Sequence, residues 1–298
     1  MNRREGGIFM DLMDRELNFW VVGGDLRQRA LARLLREDGH TVHIAGLEGE
    51  GLAPEPLGPG LALAHCVILP LPVTQPEGVL HTPLSREKVA LPDLLDWLEP
   101  GQIVCGGLVS PAVRAEGEGR GLRVFDYYAR EECMVANAVP TAEGAVEVAM
   151  EELPFTLHSA RVLVLGFGRV GKLTAHRMRA LGARVTVAAR DYEDLAWAAA
   201  YDYESLRLET LACELGGFQL IVNTIPAQIL DRRRLAWVDP EVFLLDLASA
   251  PGGVDREEAQ RLGLRMLQAP GLPGRTAPVT AAAAIRDSVY HILWELEE

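Results

Sequence analysis

Short runs of consecutive apolar residues alternate along this chain with longer stretches whose apolar positions recur every three or four residues, the pattern of strands followed by helices. Asn18 to Val22 reads as a strand covered on both faces, Gly23-Gly24-Asp25 as its turn, and Leu26 to Glu37 as a helix with Leu26, Ala30, Leu34 and Leu35 along one face. Gly39 stops that helix and Thr41 to Ala45 resumes as a strand, with further β-rich runs at Cys66 to Leu69 and Ile103 to Cys105. The same order restarts at Arg161 to Leu165. A glycine turn follows, then a helix with Val170, Leu173, Met178 and Leu181 on one face, a stop at Gly182, and a strand from Val185 to Ala189. Leu220 to Asn223, Val242 to Leu247 and Leu264 to Leu267 repeat the strand signal.

Strand and helix alternating in this way predict an α/β protein with two Rossmann-like domains, each built on a parallel sheet. The expected boundaries are a leader over 1–16, a first, substrate-binding domain (flavodoxin-like or Rossmann-like) over 17–133, and a connecting helix over 134–153. A dinucleotide-binding domain over 154–278 follows, and a last helix over 279–298 is expected to pack back on the first domain. A length of 298 residues suits two domains.

Charge narrows the list of partners. Lys and Arg number 29 against 42 Asp and Glu, a net charge of −13, which argues against nucleic acid and anionic membrane surfaces. The most apolar stretch, Leu61 to Val73, is broken by His65, Pro70 and Pro72 and is too short to span a bilayer. No apolar run of signal-peptide length precedes Asp11, and Cys66, Cys105, Cys133 and Cys213 lack the spacing of a zinc site or redox pair. A soluble, cytoplasmic protein with reduced thiols is expected. No metal is expected, because His40 and His43 have no further ligands nearby in sequence, and no triad can be assigned.

The candidate chemistry centres on Gly166-Phe167-Gly168-Arg169-Val170-Gly171, a GxGxxG motif that follows a strand and opens a helix. In such a motif Gly166 permits the tight turn, Gly168 lets a pyrophosphate approach and Gly171 lets the helix pack on the strand. The phosphates then face a helix N-terminus. At the end of the second strand, where an NAD site usually carries an acidic residue, stands Arg190, suited to a 2′-phosphate; Asp191 follows it and keeps NAD open beside NADP. Asn223 and Thr224 end another strand, with Asn223 placed to bond ribose or carboxamide.

In the first domain, Asp25 occupies the position of the second glycine and would repel a pyrophosphate. Gly24, Asp25 and Arg27 therefore read as a loop for a smaller substrate; an ordinary turn with Asp25 as helix cap is the competing reading. Arg275 is a second cationic candidate, and Pro270 and Gly271 expose backbone groups in a rigid loop.

From about residue 17 to the end the chain resembles the family of dipicolinate synthase A subunits of spore-forming bacteria. The blocks that carry the resemblance are Val21-Val22-Gly23-Gly24-Asp25 with Arg27-Gln28, Pro140-Thr141 with Glu143-Gly144, and Leu165-Gly166-Phe167-Gly168-Arg169. Asn223-Thr224-Ile225-Pro226, Leu245-Asp246-Leu247-Ala248-Ser249 with Pro251-Gly252-Gly253, and Ala269-Pro270-Gly271-Leu272-Pro273-Gly274 follow in the same order. The resemblance implies an NAD(P)-dependent oxidoreductase that makes dipicolinate from a dihydrodipicolinate-type dicarboxylate of the lysine pathway during sporulation, partnered by the B subunit of dipicolinate synthase. It also implies the two-domain arrangement of 2-hydroxyacid and alanine dehydrogenases, with substrate in the cleft between domains. A homo-oligomer is expected. On that basis Ile225, Pro226, Ala248 and Ser249 join the cofactor residues and Thr141 the substrate residues.

The catalytic His and Arg of 2-hydroxyacid dehydrogenases are absent, since the corresponding stretches read Ala269-Pro270-Gly271-Leu272 and Ser249-Ala250-Pro251. Asp25 and Glu143 are the carboxylates within the resembling blocks and so the candidate bases. A dehydrogenase or reductase of another small carboxylic acid, and a cofactor-binding subunit without chemistry of its own, are the alternatives.

Overall fold

A computed structural model describes residues 15–49, 53–75, 78–249 and 251–298. Positions 1–14 of the expected leader lie outside the described residues. The chain forms two compact units, the first comprising the chain up to Asn137 together with Pro278–Glu298, the second Ala138–Ala277.

The first unit contains strands β1 (Asn18–Val22), β2 (Thr41–Ala45), β3 (Cys66–Ile68), β4 (Ile103–Gly106) and β5 (Arg123–Asp126), all parallel in the order β2-β1-β3-β4-β5. Helices α1 (Leu26–Glu37), α2 (Leu91–Leu95) and α3 (Pro111–Glu118) connect them. Alternation along β1 explains its unbroken apolar sequence: Phe19 and Val21 enter one core with Leu31 and Leu35, while Trp20 and Val22 enter the other with Leu94 and Val113. The buried face of α1 differs from the expected one. Leu31 and Leu35, one turn apart, are fully buried, whereas Leu26 at the first helical position is 37% exposed.

Helix α4 (Glu131–Glu152) carries the chain from the first unit into the second. There β6 (Arg161–Leu165), β7 (Arg184–Ala189), β8 (Glu204–Arg207), β9 (Leu220–Asn223), β10 (Phe243–Asp246) and β11 (Arg265–Gln268) form a parallel sheet ordered β11-β10-β9-β6-β7-β8. Helices α5 (Arg169–Ala180), α6 (Tyr192–Ala200), α7 (Arg232–Leu235), α8 (Arg256–Arg261) and α9 (Leu272–Thr276) complete it. Val162 and Val164 pack with Phe167 and Met178, and Leu163 and Leu165 with Leu215 and Leu235. On α5 the fully covered positions are Thr174, Ala175 and Met178; Leu181, expected on that face, is the C-cap and 44% exposed.

The chain then returns to the first unit as α10 (Pro278–Glu295). Ala282, Ile285, Val289 and Leu293 share one core with Leu31 and Leu35 of α1, and the Tyr290 hydroxyl donates to Asp38 Oδ2 at 2.9 Å. Cys66, Cys105 and Cys133 are buried free thiols and Cys213 is exposed. Among the described residues no cluster of His, Cys, Asp and Glu is suited to a metal, and no helix is long and apolar enough to cross a membrane.

Candidate functional site

In the second sheet the chain runs one way from β6 to β7 and the other way to β9, so a crevice opens beyond the carboxyl ends of β6 and β9. The glycine motif lies there. Gly166 has φ 91°, and a Cβ on it would come within 2.6 Å of Thr224 Oγ1, which itself donates to the Leu165 carbonyl at 2.8 Å and ties the two strand ends together. A Cβ on Gly171 would lie 2.1 Å from the Gly166 carbonyl oxygen, so α5 reaches the turn only because that residue is glycine. Gly168 is different: a Cβ there would meet nothing within 4 Å among the described residues. It caps α5 without a side-chain hydrogen bond, which leaves an open floor beside the amide groups of the helix's first turn. These features fit a dinucleotide pyrophosphate.

The neighbouring candidates divide into two kinds. Arg169 is exposed and Val170 half-buried at the start of α5, while the ring of Phe167 is buried against Tyr203 and leaves only its backbone to a ligand. Arg190 directly follows β7 with its side chain 76% exposed and pairs with Asp191 at 3.2 Å. Ile225 is half-buried, and Pro226 and Ser249 are exposed on the loops beyond β9 and β10. Asn223 departs from expectation. It is 1% exposed, its amide donates to Asp246 Oδ1 at 2.8 Å and to the Ile225 carbonyl at 3.1 Å, and its oxygen accepts from the Ile225 amide. With both amide hydrogens engaged, Asn223 braces the strand ends and has no donor left for ribose or carboxamide.

Its partner Asp246 has no role that the sequence suggests. This fully buried carboxylate also accepts from the backbone amides of Ala248 at 3.1 Å and Gly253 at 2.9 Å, shaping the loop that carries Ala248 and Ser249. The only sequence signal is an aspartate ending an apolar run just before Pro251-Gly252-Gly253.

Two blocks far apart in sequence meet within the second unit. Gly144 of α4 packs so closely on α9 that a Cβ would stand 3.0 Å from Thr276 Oγ1 and 3.1 Å from Leu272 Cβ. Thr141, half-buried, lies on the same α4 segment, and Pro270, Gly271 and Arg275 are exposed around α9. Glu143 is mostly exposed and pairs with Arg177 at 3.0 Å, an exposed ion pair without the setting of a proton acceptor.

The first sheet has its own crevice, between β1 and β3, and Arg27 lies across it. Asp25 caps α1 by accepting from the Arg27 amide at 2.9 Å, with Gln28 completing a capping box. The Arg27 guanidinium grips the same carboxylate through Nε and Nη2 and donates from Nη2 to the Leu71 carbonyl at 2.8 Å. Its side chain is 7% exposed, and Nη1 has no acceptor among the described residues. Burial pushes the Asp25 carboxyl upward, but the bonds and charge of Arg27 outweigh it and hold it below 3.8. Asp25 is thus an anchor for Arg27 and a poor base, which corrects its place among the candidate bases. Gly24, at φ 104°, donates its amide to the His81 carbonyl at 2.7 Å. The half-buried His81 ring has no partner for Nδ1 among the described residues, and burial lowers its pKa below 6.5 despite the nearby Asp25. Nothing in the spacing points to His81.

Residues 18–128 match the model of the N-terminal domain of the dipicolinate synthase A subunit. The A subunit of dipicolinate synthase from Bacillus subtilis (strain 168) is 31% identical over 94% of this chain and 97% of its own length. The chain belongs to the dipicolinate synthase A-subunit family. The crystal structure of the family member from Bacillus halodurans superposes with a TM-score of 0.85 at 30% identity, covering 93% of this chain and 97% of that one. Residues 135–258 match the D-isomer specific 2-hydroxyacid dehydrogenase NAD binding domain. An L-alanine dehydrogenase shares the fold, with a TM-score of 0.62 at 15% identity over 93% of this chain and 90% of its own. Two parallel-sheet α/β domains and a nicotinamide-cofactor domain identify this member of the family as an oxidoreductase.

Proposed function

We propose that this chain is the dehydrogenase subunit of a dipicolinate synthase, oxidising a dihydrodipicolinate-type dicarboxylate to dipicolinate with NADP in the cytoplasm of sporulating cells, alongside a second subunit. The observation that carries the reading is the open floor at Gly168, framed by the close approaches at Gly166 and Gly171, in a chain of this family. When bound, the nicotinamide supplies a two-electron acceptor. The substrate loses a hydride from ring carbon and a proton to solvent, and aromatisation supplies driving force.

The protein's own part is binding and orientation. Amide groups at the start of α5 receive the pyrophosphate, and the loops held by Asp246 and Thr224 form the wall beside it. Arg190 reads the 2′-phosphate of NADP. Arg27 offers Nη1 to a substrate carboxylate while its other edge stays fixed to Asp25 and Leu71. Thr141, Pro270, Gly271 and Arg275 are the candidate substrate residues of the second unit; the close packing of Gly144 on α9 supports this reading by joining the two segments that carry them.

The test is ultraviolet detection of dipicolinate formed from enzymatically generated dihydrodipicolinate, together with NADPH fluorescence, with and without the second subunit. Product and NADPH appearing in equal amounts support the reading. Dipicolinate formed by the second subunit at the same rate without this chain refutes it.

A further inference from the structure

Arg190 is not the only arginine at its end of the sheet. Strand β8 runs parallel to β7 with Arg207 paired directly to Ala189, so Arg207 stands beside the residue that precedes Arg190. Arg207 ends β8 and Arg190 directly follows β7, both at the carboxyl edge, where ligands of open α/β sheets bind. Neither guanidinium is packed away, the side chains being 76% and 41% exposed.

What fixes Arg207 is Tyr192, the first residue of α6. The guanidinium carbon lies 4.7 Å from the centroid of the Tyr192 ring, and Nη1 donates to the Tyr192 hydroxyl. Tyr192 is two residues beyond Arg190, so the contact draws Arg207 toward the β7 end. The counter-charges there are light. Arg190 is paired with Asp191 at 3.2 Å and Arg207 with Glu209 at 3.0 Å, both exposed pairs of the kind that contribute little. A phosphate monoester carries close to two negative charges and three acceptor oxygens, and outcompetes either carboxylate for a guanidinium at these neighbouring strand ends.

We infer that Arg207, oriented by Tyr192, is a second specificity residue which joins Arg190 in holding the 2′-phosphate of the adenosine ribose. The inference deepens the reading of the second unit as an NADP site and rests on it. In that arrangement Asp191 does not signal NAD; it is the ion that Arg190 exchanges for phosphate.

The test is calorimetric binding of adenosine 2′,5′-bisphosphate and adenosine 5′-monophosphate, which differ only in the 2′-phosphate, to wild type, R190A, R207A, R207K and Y192F. Expected are tighter binding of the bisphosphate by wild type and a loss of about tenfold in R207A, with the monophosphate unchanged and R207K partly restored. Y192F should fall between wild type and R207A. An R207A variant that keeps the full wild-type preference overturns the role of Arg207 while leaving the NADP site in place. A wild type with equal affinity for both ligands overturns the inference together with the NADP assignment, and a wild type that binds neither overturns the dinucleotide site itself.

Discussion

Asn223 and Asp246 sit opposite each other in the pairing of β9 with β10, and the amide of the first donates to the carboxylate of the second at 2.8 Å. Asp246→Ala strips acceptors from Asn223 and from the Ala248 and Gly253 amides, and a buried donor left without a partner costs about 1–3 kcal/mol. The variant is expected to unfold its second unit at lower temperature and to bind cofactor more weakly, with Asp246→Asn intermediate. Thermal melts followed with and without NADP check this, and a D246A melt identical to wild type would refute it.

The last glycine of the motif and the middle one predict opposite tolerances. Gly168→Ala meets open space and should leave stability unchanged, whereas Gly171→Ala forces its Cβ against the Gly166 carbonyl and should destabilise the second unit by about 1–3 kcal/mol. Circular dichroism melts of the pair decide it.

Gly168→Asp should fold normally and lose cofactor. A carboxylate about 4 Å from a phosphate repels it by about 4 kcal/mol at intermediate dielectric, close to a thousandfold in affinity. Titration by NADPH fluorescence measures the loss, and an unaltered dissociation constant would falsify the pyrophosphate site.

Arg27 is buried and bonded on one edge, so Arg27→Ala is expected to act twice: lower stability by about 2–4 kcal/mol through the abandoned Asp25 and Leu71 oxygens, and lower kcat/KM for the dicarboxylate. Cofactor affinity should not change. If kcat/KM per folded molecule equals wild type, Arg27 serves α1 alone.

The same pair sets an acid limit. Because Arg27 holds the folded-state pKa of Asp25 below 3.8, the stabilisation is complete above that value and disappears as pH falls through the lower folded value. Asp25→Asn should therefore lower stability at pH 6 and flatten the loss of stability below pH 4. Denaturant midpoints across that range test the sign.

How much of this is legible in the sequence depends on how far apart the partners lie along the chain. β1 and β6 announce themselves because strands covered on both faces are continuously apolar, while β8, reading Glu204-Ser205-Leu206-Arg207 at a sheet edge, carries no such signal. The glycine motif is legible because its turn, strand and helix are consecutive. Asn223 misleads because its acceptor comes 23 residues later on another strand, and the burial of Arg27 is hidden because Leu71 is 44 residues away. Proximity of the Thr141 and Arg275 segments likewise arises only from the packing of Gly144 on α9.

The return of α10 to α1 has a consequence for how the chain is made. Leu31 and Leu35 wait for Ile285, Val289 and Leu293, so the unit translated first is finished last, after the whole of the second unit has left the ribosome. Until then one face of the nascent first unit is only partly covered, by α1 alone, and a ribosome stalled before residue 278 would release a chain whose cofactor unit is whole and whose other unit is a ready client for chaperones.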